Sequence, residues 1–388
     1  MKITGYRFEK FSWPRRHATA DANGVSESEM AAAALLFIET DENITGIAPA
    51  KPNTSMEKFF RVIDGEDPRS TIGLWKRMND HIFKNNNEGD DFKAISAIDA
   101  ALWDLKAKIA GEPLWRFLGA RDPRVKAYGS GLDLGLTDEE VADYYQEFAD
   151  LGVDAGKLKV GPDIDRDIER IQIMHDVLAQ VSKRPHLMID SNEYWSPKQS
   201  IRYISEIEEK FDLAWVEEPA RRWDYRGLRQ VSQAVRAAVS SGENINGLDE
   251  FYPLVHNEAI DIVQMHPNGV TVSMQIANFA YAYELPVTFN NSFGSVYAHV
   301  AAAMPNFMMQ EVQVIDPPPC VKTDTHIEDG YIHVGNEPGF GITVDEAELT
   351  RLQEVPQITT PQGIHTRREG AGLVVMPPQP GEGFYGEK

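Results

Sequence analysis

Five charged residues raise the chemical question. Asp190, Glu217 and Glu243 each stand where a short apolar run gives out: Leu187-Met188-Ile189-Asp190, Leu213-Ala214-Trp215-Val216-Glu217, and Val239-Ser240-Ser241-Gly242-Glu243. They recur at intervals of roughly 26 residues, about the length of one strand-plus-helix unit. Upstream, Lys157 and Lys159 flank a single leucine. Residues two apart in a strand face the same side, so both ammonium groups point one way. Taken singly, each charge is explained as a solvated loop residue or, for the lysines, a surface edge. Three carboxylates converging on one side of a barrel mouth would instead repel, and a divalent cation is the natural filler. Oxygen ligation without Cys or His favours Mg2+, with Mn2+ as the second choice. A cation beside a lysine lowers its pKa and makes it a base at neutral pH.

Such residues need a scaffold that brings strand ends together. From about residue 125, short apolar strands alternate with amphipathic helical stretches. The strands are expected at 125–129, 156–160, 186–190, 213–216, 237–240, 261–264, 286–289 and 307–311. Eight of them at this spacing predict a TIM-type barrel, whose chemistry sits at the C-terminal strand ends. An open doubly wound sheet is the alternative, and it usually carries a Gly-rich phosphate loop after its first strand. Gly129-Ser130-Gly131 instead runs into Leu132-Asp133.

Before residue 125 the pattern is α+β. Residues 1–11 read as a strand, and 31–40 and 45–48 as a hairpin around Asp41-Glu42-Asn43. Residues 92–118 have helical spacing, broken at Gly111-Glu112-Pro113. After about residue 345 the chain turns Pro- and Gly-rich.

Bulk properties exclude several classes. At 42% hydrophobic and 10% aromatic, the chain can bury a sizeable core and is not disordered. A net charge of −22 argues against nucleic acid as a partner. An anionic substrate would need a local cation to overcome that field. The longest strongly apolar run, 30–38, is about half a membrane span, so no membrane insertion is expected. The N-terminus lacks a secretory pattern, and a cytoplasmic protein is expected. Cys320 stands alone, so neither an internal disulfide nor a cysteine metal site can form, and it reads as a small buried hydrophobe.

At this point the chain resembles the enolase superfamily, in its mandelate racemase-like subgroup. Ala94-Ile95-Ser96-Ala97-Ile98-Asp99-Ala100-Ala101-Leu102-Trp103-Asp104 is similar to the helix signature before the family's barrel. Lys157-Leu158-Lys159 resembles its KxK motif. Asp190-Ser191-Asn192, Trp215-Val216-Glu217-Glu218-Pro219 and Gly242-Glu243-Asn244 resemble its three metal-ligand segments, and Met308-Met309-Gln310-Glu311 its eighth-strand segment. The resemblance implies a modified (β/α)7β TIM barrel capped by an α+β domain made from both chain ends. Residues 1–124 would form the N-terminal cap, 125–345 the barrel, and 346–388 a segment returning to the cap with an irregular tail. It implies Asp190, Glu217 and Glu243 as metal ligands, Lys159 as the base that takes the α-proton, and Lys157 as its support. Glu311, protonated, would donate to the enediolate. A small-molecule carboxylate substrate and a homo-oligomer follow from the same resemblance.

The sequence also departs from the family. An Asp at the sixth strand end and a His at the seventh form the usual second base. Here His266 falls where the Asp is expected, and Asn290-Asn291 where the His is expected. The alignment leaves open which asparagine takes that place. Neither amide is a base, so two-base racemisation is disfavoured and a one-base elimination remains. His266 is carried as a catalytic candidate, against the commoner structural role. His17 and Arg16, in a polar loop at 15–26, are carried with Asn290, Asn291 and Asn192 as substrate-binding candidates. The leading expectation is a dehydratase of an acid sugar or related hydroxy acid. The alternatives are an epimerase or cycloisomerase, and a non-catalytic acid-sugar-binding relative. Specificity is expected in the loops at 15–26 and 47–55.

Overall fold

The structure is a computed structural model that describes residues 1–17, 19–26, 28, 30–84, 89–313, 317–355, 371–373 and 375. Most of the segment expected at 346–388, including its irregular tail, therefore lies outside the described residues.

Strand β1 (Ile3–Pro14) pairs antiparallel with β2 (Met30–Thr40), which pairs antiparallel with β3 (Gly46–Ala50). The apolar run of β2 is buried from Ala34 to Ile38, which explains why it reads as one continuous hydrophobic stretch. Helix α1 (Gly89–Ala110) covers this sheet. Gly46 permits the close approach, because a Cβ there would strike the Ala101 carbonyl.

The signature helix ties this unit to the rest. Asp99, fully buried, accepts from Val270 N at 2.7 Å, Thr271 N at 2.8 Å and the Thr271 hydroxyl at 2.6 Å. Those are free N–H groups at the start of a barrel helix, so Asp99 caps it from outside the chain segment. Asp104, also buried, accepts from Ile47 N and Phe340 N, both at 2.7 Å.

The barrel strands are β4 (Arg124–Ser130), β5 (Ala155–Lys159), β6 (His186–Asp190), β7 (Leu213–Glu217), β8 (Ala238–Ser241), β9 (Ile262–Met265), β10 (Val287–Phe289) and β11 (Phe307–Val312). All neighbours run parallel, and β11 closes the ring on β4 through Gln310↔Ala127 and Val312↔Gly129. The expected strands are all present, with ends displaced by a residue or so. The one expected at 237–240 runs Ala238–Ser241, because its parallel register is set by Ala238↔Trp215 and Ser240↔Glu217. Helices α2 (Asp138–Asp150), α3 (Ile164–Leu178), α4 (Pro197–Glu208), α5 (Tyr225–Ala234), α6 (Leu248–His256) and α7 (Val270–Tyr281) follow the first six strands. After β11 the chain leaves the barrel. Helix α8 (Glu346–Gln353) lies against β1, where Arg7 grips Glu346 at 2.7 Å and 3.0 Å.

The barrel interior is a packed core. Tyr128, Ala155, Met188, Trp215, Ile262 and Met309 fill it from six strands as a cluster separate from the main core. Cys320 is buried, as its lone occurrence suggests. Among the described residues, no helix is long and apolar enough to cross a membrane.

Candidate functional site

The strand period converts that apolar layer into a site. Two residues beyond each layer member, on the same face, come Ser130, Lys157, Asp190, Glu217, Gln264 and Glu311. All six are buried. Sequence alternation therefore stacks a polar layer directly on an apolar floor at the C-terminal end of the barrel.

The charges in this layer are paired across strands. The Lys157 ammonium contacts Glu217 and lies 3.3 Å from Glu311 and 3.5 Å from Asp190. The Lys159 ammonium contacts Asp190. Lys159↔Asp190 and Asp190↔Glu217 are register partners, which is why these residues meet. Glu217 also accepts from the Trp215 indole at 3.4 Å. Burial alone would lower both lysine pKa values, but the surrounding carboxylates win and hold Lys157 and Lys159 above the ordinary range. The expectation of a lowered lysine pKa presumed a cation at this place, and here carboxylates surround the ammonium groups. Glu311 is governed by the same pairing. Burial would raise it, yet Lys157 and Lys159 hold it below the usual carboxylate value while these lysines have no metal beside them.

Glu243 arrives from the loop after β8. Gly242 aims it, with φ 133° and no room for a side chain between the Gln264 carbonyl and the Phe251 ring. Three non-glycine residues behind the other two acids adopt left-handed backbone: Asn192 at φ 46°, Glu193 at 58° and Glu218 at 43°. Backbone strain of this kind concentrates at functional sites. It is held by Glu193 N donating to Glu218 O at 2.9 Å and by Asn192 N donating to Asp190 Oδ1 at 2.8 Å.

The charge balance tests whether a cation fits. Asp190, Glu217, Glu218, Glu243 and Glu311 share this end of the barrel with two lysines. Burial and neighbouring carboxylates push Glu217 and Glu218 well above the ordinary glutamate value. Five carboxyl groups face two lysines, so they resist ionising together until a further cation joins them, and their donors are all oxygens. Among the described residues, no three such groups already surround one point. Asp190 and Glu217 are turned to the lysines instead.

The remaining candidates divide into two groups. Asn290, at the end of β10, donates to Glu243 at 3.1 Å and accepts from His266 Nδ1 at 2.9 Å. An amide oxygen can only accept, so His266 carries its proton on Nδ1 and leaves Nε2 with a lone pair. Burial, then Lys51, lowers His266 to about 3, so the ring is neutral. Asn291 gives its backbone N–H to Glu311 at 2.7 Å. Arg16 and His17 meet helix α2. Glu147 on α2 holds the Arg16 guanidinium at 2.9 Å and 3.0 Å, and His17 stands edge-on to Tyr144 at 6.1 Å.

Several participants give no local sequence signal. From the same N-terminal loop, Asp21 is buried near Lys159 and Asp190, and Asn23 donates to Asn192 O at 3.0 Å. Beneath β5, Asp133 accepts from Lys159 N at 3.0 Å and from the Tyr145 hydroxyl at 2.9 Å. Buried Arg170 donates to Lys159 O at 2.9 Å and Asp133 O at 2.6 Å. These groups fix the KxK strand through its backbone. Lys51 faces a cavity of about 250 Å³ that also borders His266 and Asn291.

Comparison with known proteins agrees with this architecture. Residues 140–348 match the family model for the enolase C-terminal domain-like region, and 14–119 that for the mandelate racemase / muconate lactonizing enzyme N-terminal domain. The 3,6-anhydro-alpha-L-galactonate cycloisomerase of Streptomyces coelicolor is 28% identical over 77% of this chain and 83% of its own. The L-talarate/galactarate dehydratase of Salmonella typhimurium is 28% identical over 73% of this chain and 71% of its own. A racemase from Streptomyces coelicolor, solved with bound magnesium, superposes with a TM-score of 0.83 at 26% identity, covering 90% of this chain and 99% of that one. The chain belongs to the enolase superfamily, in its mandelate racemase / muconate lactonizing enzyme group.

Proposed function

We propose that this protein is a Mg2+-dependent dehydratase of an acid sugar or related hydroxy acid. The observation that carries the reading is one-sidedness. Lys157 and Lys159 enter the carboxylate layer from β5, while the end of β10 offers the amide of Asn290 and no second base. Asp190, Glu217 and Glu243 would hold the ion, which is supported by the crowding of carboxyl groups around Glu217 and by the related racemase solved with bound magnesium. Once bound, Mg2+ supplies Lewis-acid stabilisation of negative charge on the substrate carboxylate.

The protein's own residues do the rest. Lys159 is buried and paired with Asp190; were Asp190 a metal ligand, the lysine would lose that counter-charge and its burial would favour the neutral amine. Its Nζ then takes the α-proton of the bound acid. Lys157 stays beside Glu217 and Glu311 and faces the negative charge that develops. The α C–H electrons form the new double bond as the β-hydroxyl departs, as water when Lys159 returns the proton to it. The enol product tautomerises to a 2-keto-3-deoxy acid. Neutral His266 is held by Asn290 and orients that amide against Glu243, so its proposed role is positional.

The test is a panel of aldonates, aldarates and sugar lactones incubated with the protein and Mg2+, read by 2-keto acid formation. Absence of 2-keto acid across the panel would refute dehydration. A second reading is cycloisomerisation, favoured by the similarity to the Streptomyces coelicolor cycloisomerase. It would show as an isomeric product of unchanged mass.

A further inference from the structure

The cavity beside His266 lies between the N-terminal unit and the barrel. Lys51, just after β3, and Lys93, on α1, line one side, and His266 and Asn291 the other. Trp13 contributes an apolar wall. Lys51 is exposed to this space, and among the described residues no carboxylate lies within ion-pair distance of its ammonium. Lys93 has Asp90 at 3.3 Å. At ion-pair distance the two ammonium groups thus have one carboxylate among the described residues, Asp90 on Lys93, with Glu243 acting on Lys51 from farther off and a histidine that carries no charge of its own across the cavity. In a chain of net charge −22, that is a local excess of positive charge. Two ammonium groups lining one concave space attract an anion that can reach both.

The cavity is also joined to the candidate catalytic layer. His266 reaches Glu243 through Asn290, by contacts of 2.9 Å and 3.1 Å. Asn291 borders the cavity while its backbone N–H binds Glu311 at 2.7 Å. A substrate whose first carboxylate met a metal held by Asp190, Glu217 and Glu243 would thus extend past Asn290 and Asn291 toward Lys51.

We propose that Lys51, with Lys93, binds a second carboxylate at the far end of the substrate, so that the preferred substrate is a dicarboxylic acid sugar, an aldarate. This inference rests on the dehydratase reading of the neighbouring site. An aldonate ends in a neutral primary alcohol and would leave the Lys51 charge unmatched.

The experiment compares an aldarate with the aldonate that differs only at the far carbon, using full-length protein with Mg2+. The expected kcat/KM ratio favours the aldarate by about 30-fold, the worth of one charge-assisted contact. Lys51→Met should shrink that ratio to within about threefold, chiefly through the KM for the aldarate, while Lys51→Arg should keep most of it. Thermal unfolding of each variant checks that it folds, and the wild-type ratio is decisive without any variant. Turnover of both acids with no preference overturns the second-carboxylate site and leaves the dehydratase reading standing. An unchanged ratio in Lys51→Met also overturns it, as does a stronger preference for a 6-phosphorylated aldonate. No turnover of either acid, or of any acid in the wider panel, overturns the dehydratase reading itself.

Discussion

Replacing Lys159 by methionine separates its two roles, because the ammonium is both the proposed base and the counter-ion of Asp190. Methionine keeps most of the side-chain volume, so the buried position is not left as a cavity. Loss of a general base costs about 10²–10⁴-fold in kcat. With no second base at the end of β10, the upper figure applies, about 5 kcal/mol in the barrier. Metal binding should move the opposite way. A positive charge about 4 Å from the ion, at an effective dielectric of about 20, opposes each unit of its charge by about 4 kcal/mol before relaxation. Solvent and side-chain rearrangement reduce that, so a gain in Mg2+ affinity of about tenfold or more is the measurable expectation. Turnover is followed by 2-keto acid release, and Mg2+ affinity by titration calorimetry on the same preparation. Residual turnover above a few per cent would remove Lys159 as the base. Weakened Mg2+ binding in a folded variant would show that the metal does not share Asp190 with the lysine.

Two further predictions address the frame of the site. Gly242→Ala should destabilise the fold by about 1–3 kcal/mol, since a Cβ at φ 133° meets the Gln264 carbonyl and Phe251, and should weaken Mg2+ binding by displacing Glu243. Unaltered denaturant midpoint and unaltered metal affinity would both contradict this. Burial, partly offset by the Gly161 N–H at 2.7 Å, raises Asp167 from 3.8 to about 7; Arg170 faces it and lowers its pKa, while Asp163 and Asp133 raise it. The folded chain then keeps a proton that the unfolded chain releases, so this group's stabilisation is full below about pH 4 and is lost as pH rises through about 7. In urea melts across that window, Asp167→Asn should flatten the decline relative to wild type; parallel slopes in the two proteins would refute the assignment.

What could be read from the sequence follows from locality. The ends of β6 and β7 are places where an apolar run stops at an acid, and the period of two fixes which neighbours share its face. That is enough to place Lys157, Asp190, Glu217 and Glu311 in one layer, because each needs only its own strand and the closure of the barrel. Gly242-Glu243 was found by the same reasoning, although the strand ends before it and a loop completes the turn. The N-terminal loop has no such periodicity. Arg16 and His17 are its chemically conspicuous residues, and their described partners are Glu147 and Tyr144 on α2, while inconspicuous Asp21 and Asn23 touch the site. Their position depends on the backbone pairing of Ala20 with Leu132 and Leu134, which no single-strand pattern encodes.

Charge is where sequence and structure differ most, and the reason is general. A sequence gives the inventory of charges but not their pairing, and pKa values depend on pairing. The inventory around Asp190 led to an expected lysine of lowered pKa; the pairing of Lys159 with Asp190 and of Lys157 with Glu217 gives the opposite direction. The same limit hid Lys51, which is separated from His266 by most of the chain and becomes significant only because the cap lays it against the barrel mouth without a counter-ion. Both cases reduce to one electrostatic account. The barrel layer has more carboxylate than lysine and so is matched by a cation. The cavity next to it has more ammonium than carboxylate and so is matched by an anion. A molecule with one carboxylate for the metal and a second for Lys51 would balance both, which is why the aldarate comparison tests the two readings separately.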